Sequence, residues 1–273
     1  MRPISDTQIK EETYMISGYP IWVVLLIGVG VFCASFMDAI GGGGGIISVP
    51  VYLLAGLPAH YALGTNKLSS CLGTAASTFR YVKNKFADWG LAIPSIVLAM
   101  VGSHFGTRLQ LIVNENILKY MLMVVLPLVA VVLLRKKSFS EEKGEIAPWP
   151  QRIIVWGASL LLGAYDGFYG PGTGTFLLLI FCHLAKMDLR TASGNVKLVN
   201  FSSNIGSVIT AAVAGKVLFP IGLIAAVFSI AGHYIGAGMT IKNGAKIVRP
   251  VILVVLALLA AKIILELLGV SFG

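Results

Sequence analysis

Two lysines occupy matching positions within apolar stretches of the 273-residue chain. Lys67 lies in the segment Gly64–Ser70, and Lys197 lies in the segment Ser193–Asn200. An ionisable group inside a membrane helix is costly, so it usually faces a partner or a water path, although a long side chain can also extend to the lipid headgroups. The lysines therefore predict either a cationic binding site or two interfacial anchors.

Polar side chains accompany both lysines and favour the binding site. In the second stretch Lys197, Asn200 and Asn204 are spaced i, i+3 and i+7, which places them on one face of a helix, with Asn195 nearby. The corresponding polar residues of the first stretch are Thr65, Asn66, Ser69 and Ser70. Two stripes that combine charge with amide and hydroxyl groups suit a small oxyanion, which needs a cation and several hydrogen-bond donors.

Two glycine-rich runs interrupt the apolar sequence. Gly41–Gly45 contains only glycine, and Gly170–Gly174 reads Gly-Pro-Gly-Thr-Gly. Neither run suits a helix interior, because glycine costs about 1 kcal/mol and proline about 3 kcal/mol per position. A helix that begins after each run would direct N–H groups and a partial positive charge into a cavity, whereas the alternative role is close helix packing through small residues. The candidate anion-binding residues of these runs are Gly43, Gly44, Gly172, Thr173 and Gly174.

Three titratable residues are candidates for proton coupling. Asp38 and Asp166 each precede a glycine run, and His104 lies in a later apolar stretch. An aspartate in this position could relay protons, cap the following turn or pair with a lysine. His104, like His233, could carry a proton, although a histidine packed in the interior is the alternative.

Motifs for enzymatic chemistry are missing from the sequence. No two of the four histidines have metal-ligand spacing, and the three cysteines form no C-x-x-C pair. The sequence contains no nucleophile elbow, H-E-x-x-H motif, P-loop or complete dinucleotide fingerprint. We accordingly expect no metal, no cofactor, and no ATP-driven or enzymatic activity.

The composition indicates an integral membrane protein. The chain is 56% hydrophobic and only 12% charged, about half the charged fraction of a typical soluble domain. The excess of apolar residues must face a lipid bilayer, and the net charge of +9 arises from lysines and arginines that lie mainly between apolar runs. This pattern favours a topology signal and contact with anionic lipid over a nucleic-acid partner.

Ten apolar segments predict an all-α fold of transmembrane or re-entrant helices, because an open sheet would leave backbone groups unpaired in lipid. A charged linker at 135–152 separates a first repeat at 20–134 from a second repeat at 153–269. The segments lie near 20–40, 45–57, 62–80, 90–109, 116–134, 153–166, 172–185, 192–214, 217–238 and 247–269.

The two halves resemble each other at an offset of 130 residues. This offset aligns Lys67 with Lys197, and it aligns the pair Gly102 and Gly106 with a second Gly-x-x-x-Gly pair. Because each half holds five segments, the second half is predicted to be inverted in the membrane. Basic residues concentrate on the linker side, so the positive-inside rule predicts that this side is cytoplasmic and that both termini are outside.

Longer motifs occur in both halves. They are Asp38–Pro50 followed by Ala62–Thr65 in the first half, and Gly167–Phe176 followed by Ala192–Lys197 and Asn200–Asn204 in the second. Together they resemble the motifs of the sulfite exporter TauE/SafE family, and the resemblance extends from about residue 20 onwards. The resemblance implies a bacterial or archaeal inner-membrane carrier of sulfite, sulfoacetate or other organosulfonates, usually an exporter driven by an ion gradient. Lys67 stands where the family pattern leads us to expect a small or apolar residue.

These observations favour a secondary transporter in which a small sulfur-containing anion binds near the membrane midplane. The anion would lie between Lys67 and Lys197, and the two repeats would expose it alternately to each side. An anion channel that uses the same residues is the alternative. An intramembrane enzyme is weaker, because the serines and histidines have no catalytic spacing. The sequence does not indicate an oligomeric state.

Overall fold

The computed structural model describes residues 15–114, 144–244, 246–248 and 250–251. These residues are mainly helical, and they begin with a short antiparallel hairpin in which β1 (Met15–Ile16) pairs with β2 (Tyr19–Pro20). The predicted segment at 116–134 and most of the one at 247–269 lie outside the described residues. The expected all-α class is confirmed for the part of the chain that the structure describes.

Four α-helices precede the predicted linker and four follow it within the described ranges. The first four are α1 (Ile21–Gly41), α2 (Gly45–Leu54), α3 (Ala59–Lys83) and α4 (Trp89–Ile112). The second four are α5 (Pro148–Phe168), α6 (Thr173–Leu179), which continues as a π-helix over Ile180–Leu184, α7 (Leu189–Val213) and α8 (Phe219–Asn243).

The start of α5 differs from the sequence-based boundary. The helix begins at Pro148, inside the predicted linker at 135–152, and Ala147 is its N-cap. Proline fits the first helical turn because its missing N–H would have no partner within the helix. The residues from 148 to 152, which the sequence placed in the linker, are therefore helical.

Helix length separates the elements that can cross a bilayer from those that cannot. Helices α1, α4, α7 and α8 are long and apolar enough to span it. Helix α3 has 25 residues, as α7 does, but it is less apolar, and its buried residues include Thr65, Asn66 and Lys67. Helix α2 has 10 residues and α6 has 7, so neither covers the ~30 Å hydrocarbon core. The elements that follow the glycine runs are therefore of re-entrant length.

Helices α1 and α8 pack in parallel through glycines of α8. A methyl group on Gly232 would lie 2.5 Å from the carbonyl oxygen of Phe32, and one on Gly236 would lie 2.5 Å from the carbonyl oxygen of Phe36. The contacts advance in the same sense along both helices, so the two helices point in the same direction. Small residues permit this close approach of two backbones.

Helices α4 and α5 make the corresponding contact. A methyl group on Gly102 would lie 2.4 Å from the carbonyl oxygen of Leu160, and one on Gly106 would lie 2.0 Å from the carbonyl oxygen of Ala164. These helices are also parallel. The sequence aligns these two Gly-x-x-x-Gly pairs. The pair on α4 packs against α5 and the pair on α8 packs against α1, so each pair contacts the first helix of the other half of the chain.

The central helices α3 and α7 cross in opposite directions. At one end a methyl group on Gly64 would lie 3.3 Å from the Ala211 methyl carbon, and at the other end Thr78 Oγ1 donates to the Lys197 carbonyl at 3.1 Å.

Helix α3 is parallel to α8, and α4 is parallel to α7. The residues in contact are Leu68 with Gly222 and Arg80 with Tyr234 in the first pair, and Met100 with Gly206 and His104 with Thr210 in the second. Helices α1, α3 and α8 thus point one way, and α4, α5 and α7 point the other way.

The outer surface of these helices is apolar. Exposed large hydrophobic side chains occur on every long helix, and they include Trp22, Leu26, Phe79, Ile93, Phe105, Leu161, Ile209 and Val227. A continuous apolar surface of this kind marks contact with another apolar phase. With the spanning helices, it identifies a multi-pass cell-membrane protein.

Basic residues gather at one end of the helices. A methyl group on Gly194 would meet the Phe86 carbonyl, and Gln151 Nε2 donates to the Ala185 carbonyl at 2.8 Å, so the ends of α3 and α8 and the starts of α5 and α7 share this face. The basic residues at these helix ends are Arg80, Lys83, Lys85, Arg152, Lys186, Arg190, Lys242 and Lys246. The sequence grouped the same residues on one side, and the cytoplasmic orientation of that side stays a prediction.

Replacement of Gly106 by alanine should destabilise the fold, because the added methyl group would lie 2.0 Å from a backbone oxygen of α5. Overpacking of this kind costs about 1–3 kcal/mol. We expect Gly106→Ala to lower the midpoint of thermal unfolding in detergent. Gly157→Ala is the matched control, since a methyl group there meets nothing within 4 Å, and equal midpoints for the two variants would contradict the close contact of α4 with α5.

Candidate functional site

Two buried ion pairs cross between the two halves of the chain. Lys67 Nζ on α3 lies 2.7 Å from Asp166 Oδ2 on α5, and Lys197 Nζ on α7 lies 2.7 Å from Asp38 Oδ2 on α1. The lysine side chains are only 8% and 3% exposed. An unpaired charge at this depth would be strongly destabilising, so pairing allows all four groups to occupy the interior. Of the roles that the sequence left open for the aspartates, the structure shows pairing with a lysine.

Asp38 also holds the first glycine run. Its Oδ1 accepts the N–H of Gly44 at 3.0 Å, and its main-chain carbonyl accepts a hydrogen bond from Lys197 Nζ. On α8, His233 Nε2 lies 3.2 Å from Asp38 Oδ2. The Gly44 N–H was expected to face an anion, but it is used by this carboxylate. Asp38 therefore links α1, the start of α2, α7 and α8.

Asp166 contacts a hydroxyl group, whereas Asp38 contacts an imidazole. Ser203 Oγ on α7 donates to Asp166 Oδ2 at 2.5 Å. Gly170 has a φ of +93°, and a methyl group on it would lie 3.2 Å from Lys67 Nζ and 3.3 Å from Asp166 Oδ1. Glycine is required here both for the left-handed backbone and for the close approach of the loop to the ion pair.

The two glycine runs pack against each other, backbone on backbone. A methyl group on Gly42 would lie 2.3 Å from the Thr175 nitrogen, and Thr175 Oγ1 donates to the Gly41 carbonyl at 3.0 Å. A methyl group on Gly174 would lie 3.0 Å from Gly42 Cα and 2.9 Å from Asn200 Nδ2. The close packing considered for the glycines is thus present, and the runs also border the polar interior.

A small polar cavity lies where the ion pairs and the glycine runs meet. Its volume is about 40 Å³, which corresponds to a few water molecules or one small ion. Both carboxylates that line it are engaged by lysines. The described residues contain no group of three or more His, Cys, Asp or Glu placed to hold a metal ion.

Two amide side chains of this cavity have hydrogen-bonding capacity to spare. Asn66 Oδ1 on α3 and Asn200 Oδ1 on α7 are buried and have no hydrogen-bond partner among the described residues. Both residues line the cavity. Both unpartnered atoms are oxygens that only accept, so a water molecule or a hydroxyl group that donates to them would offset the cost of about 1–3 kcal/mol for a buried polar group without a partner. The groups of these amides that can donate to an anion are their NH2 groups.

Most residues predicted to bind substrate line this cavity. They are Gly43, Gly44, Asn66, Lys67, Ser70, Thr173, Gly174, Asn200 and Asn204. Of the polar stripe predicted on α7, Asn200 and Asn204 line the cavity, whereas Lys197 pairs with Asp38 and lies outside the lining.

Two predicted residues have other partners. Thr65 Oγ1 accepts the N–H of Leu218 at 3.0 Å, and this hydrogen bond joins the start of α8 to α3. Asn195 Nδ2 donates to the Thr191 carbonyl one turn earlier in α7, at 2.8 Å. Both side chains lie outside the cavity lining.

Three further predicted residues also lie outside the lining. Gly172 is the N-cap of α6 with a φ of +88°, and it serves the turn. Lys197 lies behind Asp38. His104 Nδ1 lies 2.8 Å from Thr210 Oγ1 between α4 and α7, so its candidate role in proton coupling has no geometric support from the cavity.

His233 is the cavity residue that sequence reasoning passed over in favour of His104. It contacts Asp38 and lines the cavity. The available signal was its position next to Gly232, because Gly232 and Gly236 mark the face of α8 that packs on α1. A histidine at the edge of that face lies within reach of the α1 aspartate.

Comparison with known proteins shows the family of this chain. The family model described as "Sulfite exporter TauE/SafE" matches residues 26–263. The chain belongs to the sulfite exporter TauE/SafE family. No solved structure matches it.

Relatives of this TauE/SafE protein carry transporter names. "Probable membrane transporter protein YfcA" of Escherichia coli (strain K12) is 32% identical over 247 residues, which cover 89% of this chain and 91% of the relative. "Probable membrane transporter protein ORF9" of Sinorhizobium sp is 31% identical over 240 residues, covering 87% and 91%. A "probable membrane transporter protein" of Haemophilus influenzae is 31% identical over 239 residues, covering 86% and 92%. Family and names point to a membrane transporter rather than an enzyme.

The crossed ion pairs predict a specific pattern of coupling in stability measurements. Lys67→Met and Asp166→Asn should each lower the thermal unfolding midpoint in detergent, because loss of one partner from a buried pair costs about 3–5 kcal/mol. The double variant should lose less than the sum, because it leaves no unpaired charge. Lys67→Met with Asp38→Asn is the control combination and should be closer to additive. Equal coupling in both combinations would contradict the crossed pairing.

Proposed function

We propose that this TauE/SafE protein is a secondary transporter that exports a small sulfur-containing anion, such as sulfite, sulfoacetate or another organosulfonate. The observation that carries the proposal is the small buried cavity at the junction of the two halves, which is lined by Lys67 and by the side chains of Asn66 and Asn200, whose NH2 groups can donate to an anion. The family description supplies the chemical class of the substrate. The names of the relatives support transport.

The polar groups of the cavity meet the requirements of an oxyanion. Lys67 supplies charge, Asn66 and Asn200 supply amide groups, and Ser70 supplies a hydroxyl group. Because Lys67 already pairs with Asp166, an entering anion must compete with that carboxylate for the ammonium group. This competition keeps the anion from binding too tightly to leave, which suits a carrier.

We further propose that the two halves, 20–134 and 153–269 on either side of the linker at 135–152, are inverted repeats. Helices α3 and α7 both have 25 residues and begin at Ala59 and Leu189, an offset of 189 − 59 = 130. Helix α1 points opposite to α5, α3 opposite to α7, and α4 opposite to α8. The last described long helix of each half packs on the first helix of the other half. These relations support a two-fold arrangement in which the halves are inverted.

A relative movement of the two repeats would expose the cavity to each side in turn. Both ion pairs join one half to the other, and so does the contact between the glycine runs. A rocking movement therefore changes the surroundings of the cavity directly. The positive-inside rule supports a cytoplasmic location for the basic face and an external location for both termini.

Exchange in proteoliposomes tests the function. Vesicles that contain the purified chain should exchange at least one of labelled sulfite, sulfoacetate and isethionate with saturation, which protein-free vesicles should not do. Asn200→Ala should lower the exchange rate about tenfold, because it removes one buried hydrogen bond to the bound anion. Asn243→Ala is the matched control, since its amide bonds to the Met239 carbonyl at the end of α8.

Three outcomes would contradict parts of this proposal. Absence of exchange of all three anions by the unmodified protein would contradict the function. Wild-type exchange by Asn200→Ala would contradict the site. Currents that rise with voltage and do not saturate with anion concentration would indicate a channel that uses the same cavity.

A further inference from the structure

The two crossed ion pairs differ in the third group that contacts each carboxylate. Asp38 Oδ2 lies 3.2 Å from His233 Nε2, whereas Asp166 Oδ2 accepts a hydrogen bond from Ser203 Oγ at 2.5 Å. An imidazole gains or loses a proton near neutral pH, and a serine hydroxyl does not. The two pairs are therefore alike in charge but different in their capacity to take up a proton.

The space for His233 depends on Gly73 of α3. A methyl group on Gly73 would lie 2.5 Å from His233 Nδ1 and 2.1 Å from Ser229 Oγ. At an offset of 130 residues, Gly73 corresponds to Ser203, and His233 corresponds to Ser103. One pair thus has glycine and histidine where the other has two serines. The two differences fit each other, because Gly73 leaves the space that the imidazole of His233 occupies.

His233 has polar contacts at both ring nitrogens. Nδ1 lies 3.1 Å from the carbonyl oxygen of Ser229, which can only accept a hydrogen bond, and 3.4 Å from Ser229 Oγ, which can donate or accept. Nε2 lies 3.2 Å from the carboxylate of Asp38, which pairs with Lys197 and only accepts. These contacts accommodate a ring that donates from both nitrogens, which is the imidazolium cation, and also a neutral ring that accepts from Ser229 Oγ at Nδ1.

When the His233 ring is protonated, the charges around the cavity leave one surplus positive charge. Lys67 with Asp166 and Lys197 with Asp38 cancel, and the imidazolium of His233 remains. A neutral ring would leave the cavity without net charge. Protonation therefore decides whether the cavity attracts a single negative charge.

A further charged group beside α8 is held away from this ring. Arg80 of α3 donates from Nη1 to the Tyr234 carbonyl at 2.7 Å, and its guanidinium lies 4.2 Å from the centre of the Tyr234 ring. These contacts direct it towards the basic face. The charged groups that face the His233 ring from α1 and α7 are Asp38 and, through it, Lys197.

We propose that His233 is the proton-carrying residue of the transport cycle and that the cavity binds one monovalent anion together with one proton on this ring. The proposal rests on the proposed function, and it adds the coupling ion and the charge of the substrate. His233 acts through the charge of the cavity, whereas Asn66 and Asn200 bond to the anion.

Each transport step conserves atoms and charge. The neutral ring takes one proton from water on the loading side, and the anion then enters towards the resulting positive charge. On the other side the anion leaves, and the proton returns to water. One anion and one proton cross together without net charge, and export follows when the product of their concentrations is higher in the cytoplasm.

Isethionate distinguishes a proton carried by the protein from one carried by the substrate, because a sulfonate stays ionised near neutral pH. Proteoliposomes of the full chain are assayed for exchange of labelled isethionate at equal pH and for its accumulation when the outside is more acidic. A trapped pH-sensitive dye follows proton entry, and valinomycin with potassium sets the voltage. Labelled sulfite is assayed in parallel to establish transport.

The unmodified protein should accumulate isethionate inside the vesicles under the acid-outside gradient, with one proton entering per anion and no dependence on the imposed voltage. His233→Gln and His233→Ser should each lower the ratio of pH-driven accumulation to exchange by about tenfold or more. His104→Gln is the matched control, because that histidine bonds to Thr210 outside the cavity. Gel filtration verifies that each variant is folded.

The possible failures are separable. If the unmodified protein exchanges neither isethionate nor sulfite, the proposed function itself is wrong. Exchange without pH-driven accumulation would overturn proton coupling and leave transport intact, and this measurement needs no variant. Normal pH-driven accumulation by a folded His233 variant would overturn the role of His233, as would a folded variant that has lost exchange altogether, because that result would place the residue in anion binding.

Discussion

The neutrality of charges buried within lipid-embedded helices constrains this protein more than any other feature. Asp38 and Lys67 belong to the first half of the chain, and Asp166 and Lys197 belong to the second, yet each aspartate pairs with the lysine of the opposite half. Separation of the halves would leave four unpaired charges away from water, at a cost of several kcal/mol for each. The same pairs place cations and carboxylates around one cavity, so the interaction that joins the halves also builds the site.

Glycine makes this crossing possible. Lipid provides no hydrophobic drive for helices to associate, so their contacts depend on close packing. The Gly-x-x-x-Gly pairs of α4 and α8 bring these helices onto α5 and α1 at backbone distance, and the glycine runs meet at Gly42 and Gly174. Side chains at these positions would hold the aspartates and lysines too far apart to pair. Close packing and the polar cavity are therefore two results of the same residues.

The cavity is balanced in charge except at one point. Two ion pairs cancel, two amide oxygens have no partner, and the one further titratable group among the described lining residues is His233 next to Asp38. A site of this kind need not hold an anion permanently, because its lysines already have partners. It can respond to a proton, because the space beside Gly73 admits an imidazole at one pair while a serine occupies the equivalent place at the other.

The sequence by itself determined the membrane class, the helical elements within the described residues, the family and most of the cavity-lining residues. It could do so because apolar runs, glycine runs and buried lysines are local features. Their energetic cost in lipid does not depend on which tertiary contacts the chain makes. Only the tertiary structure decided that the aspartates pair across the halves, that Gly44 serves Asp38, that Thr65 and Asn195 turn away, and that His233 rather than His104 enters the cavity. These outcomes depend on which helix faces meet, and that is set by glycine contacts between residues distant in the sequence, such as Gly232 with Phe32.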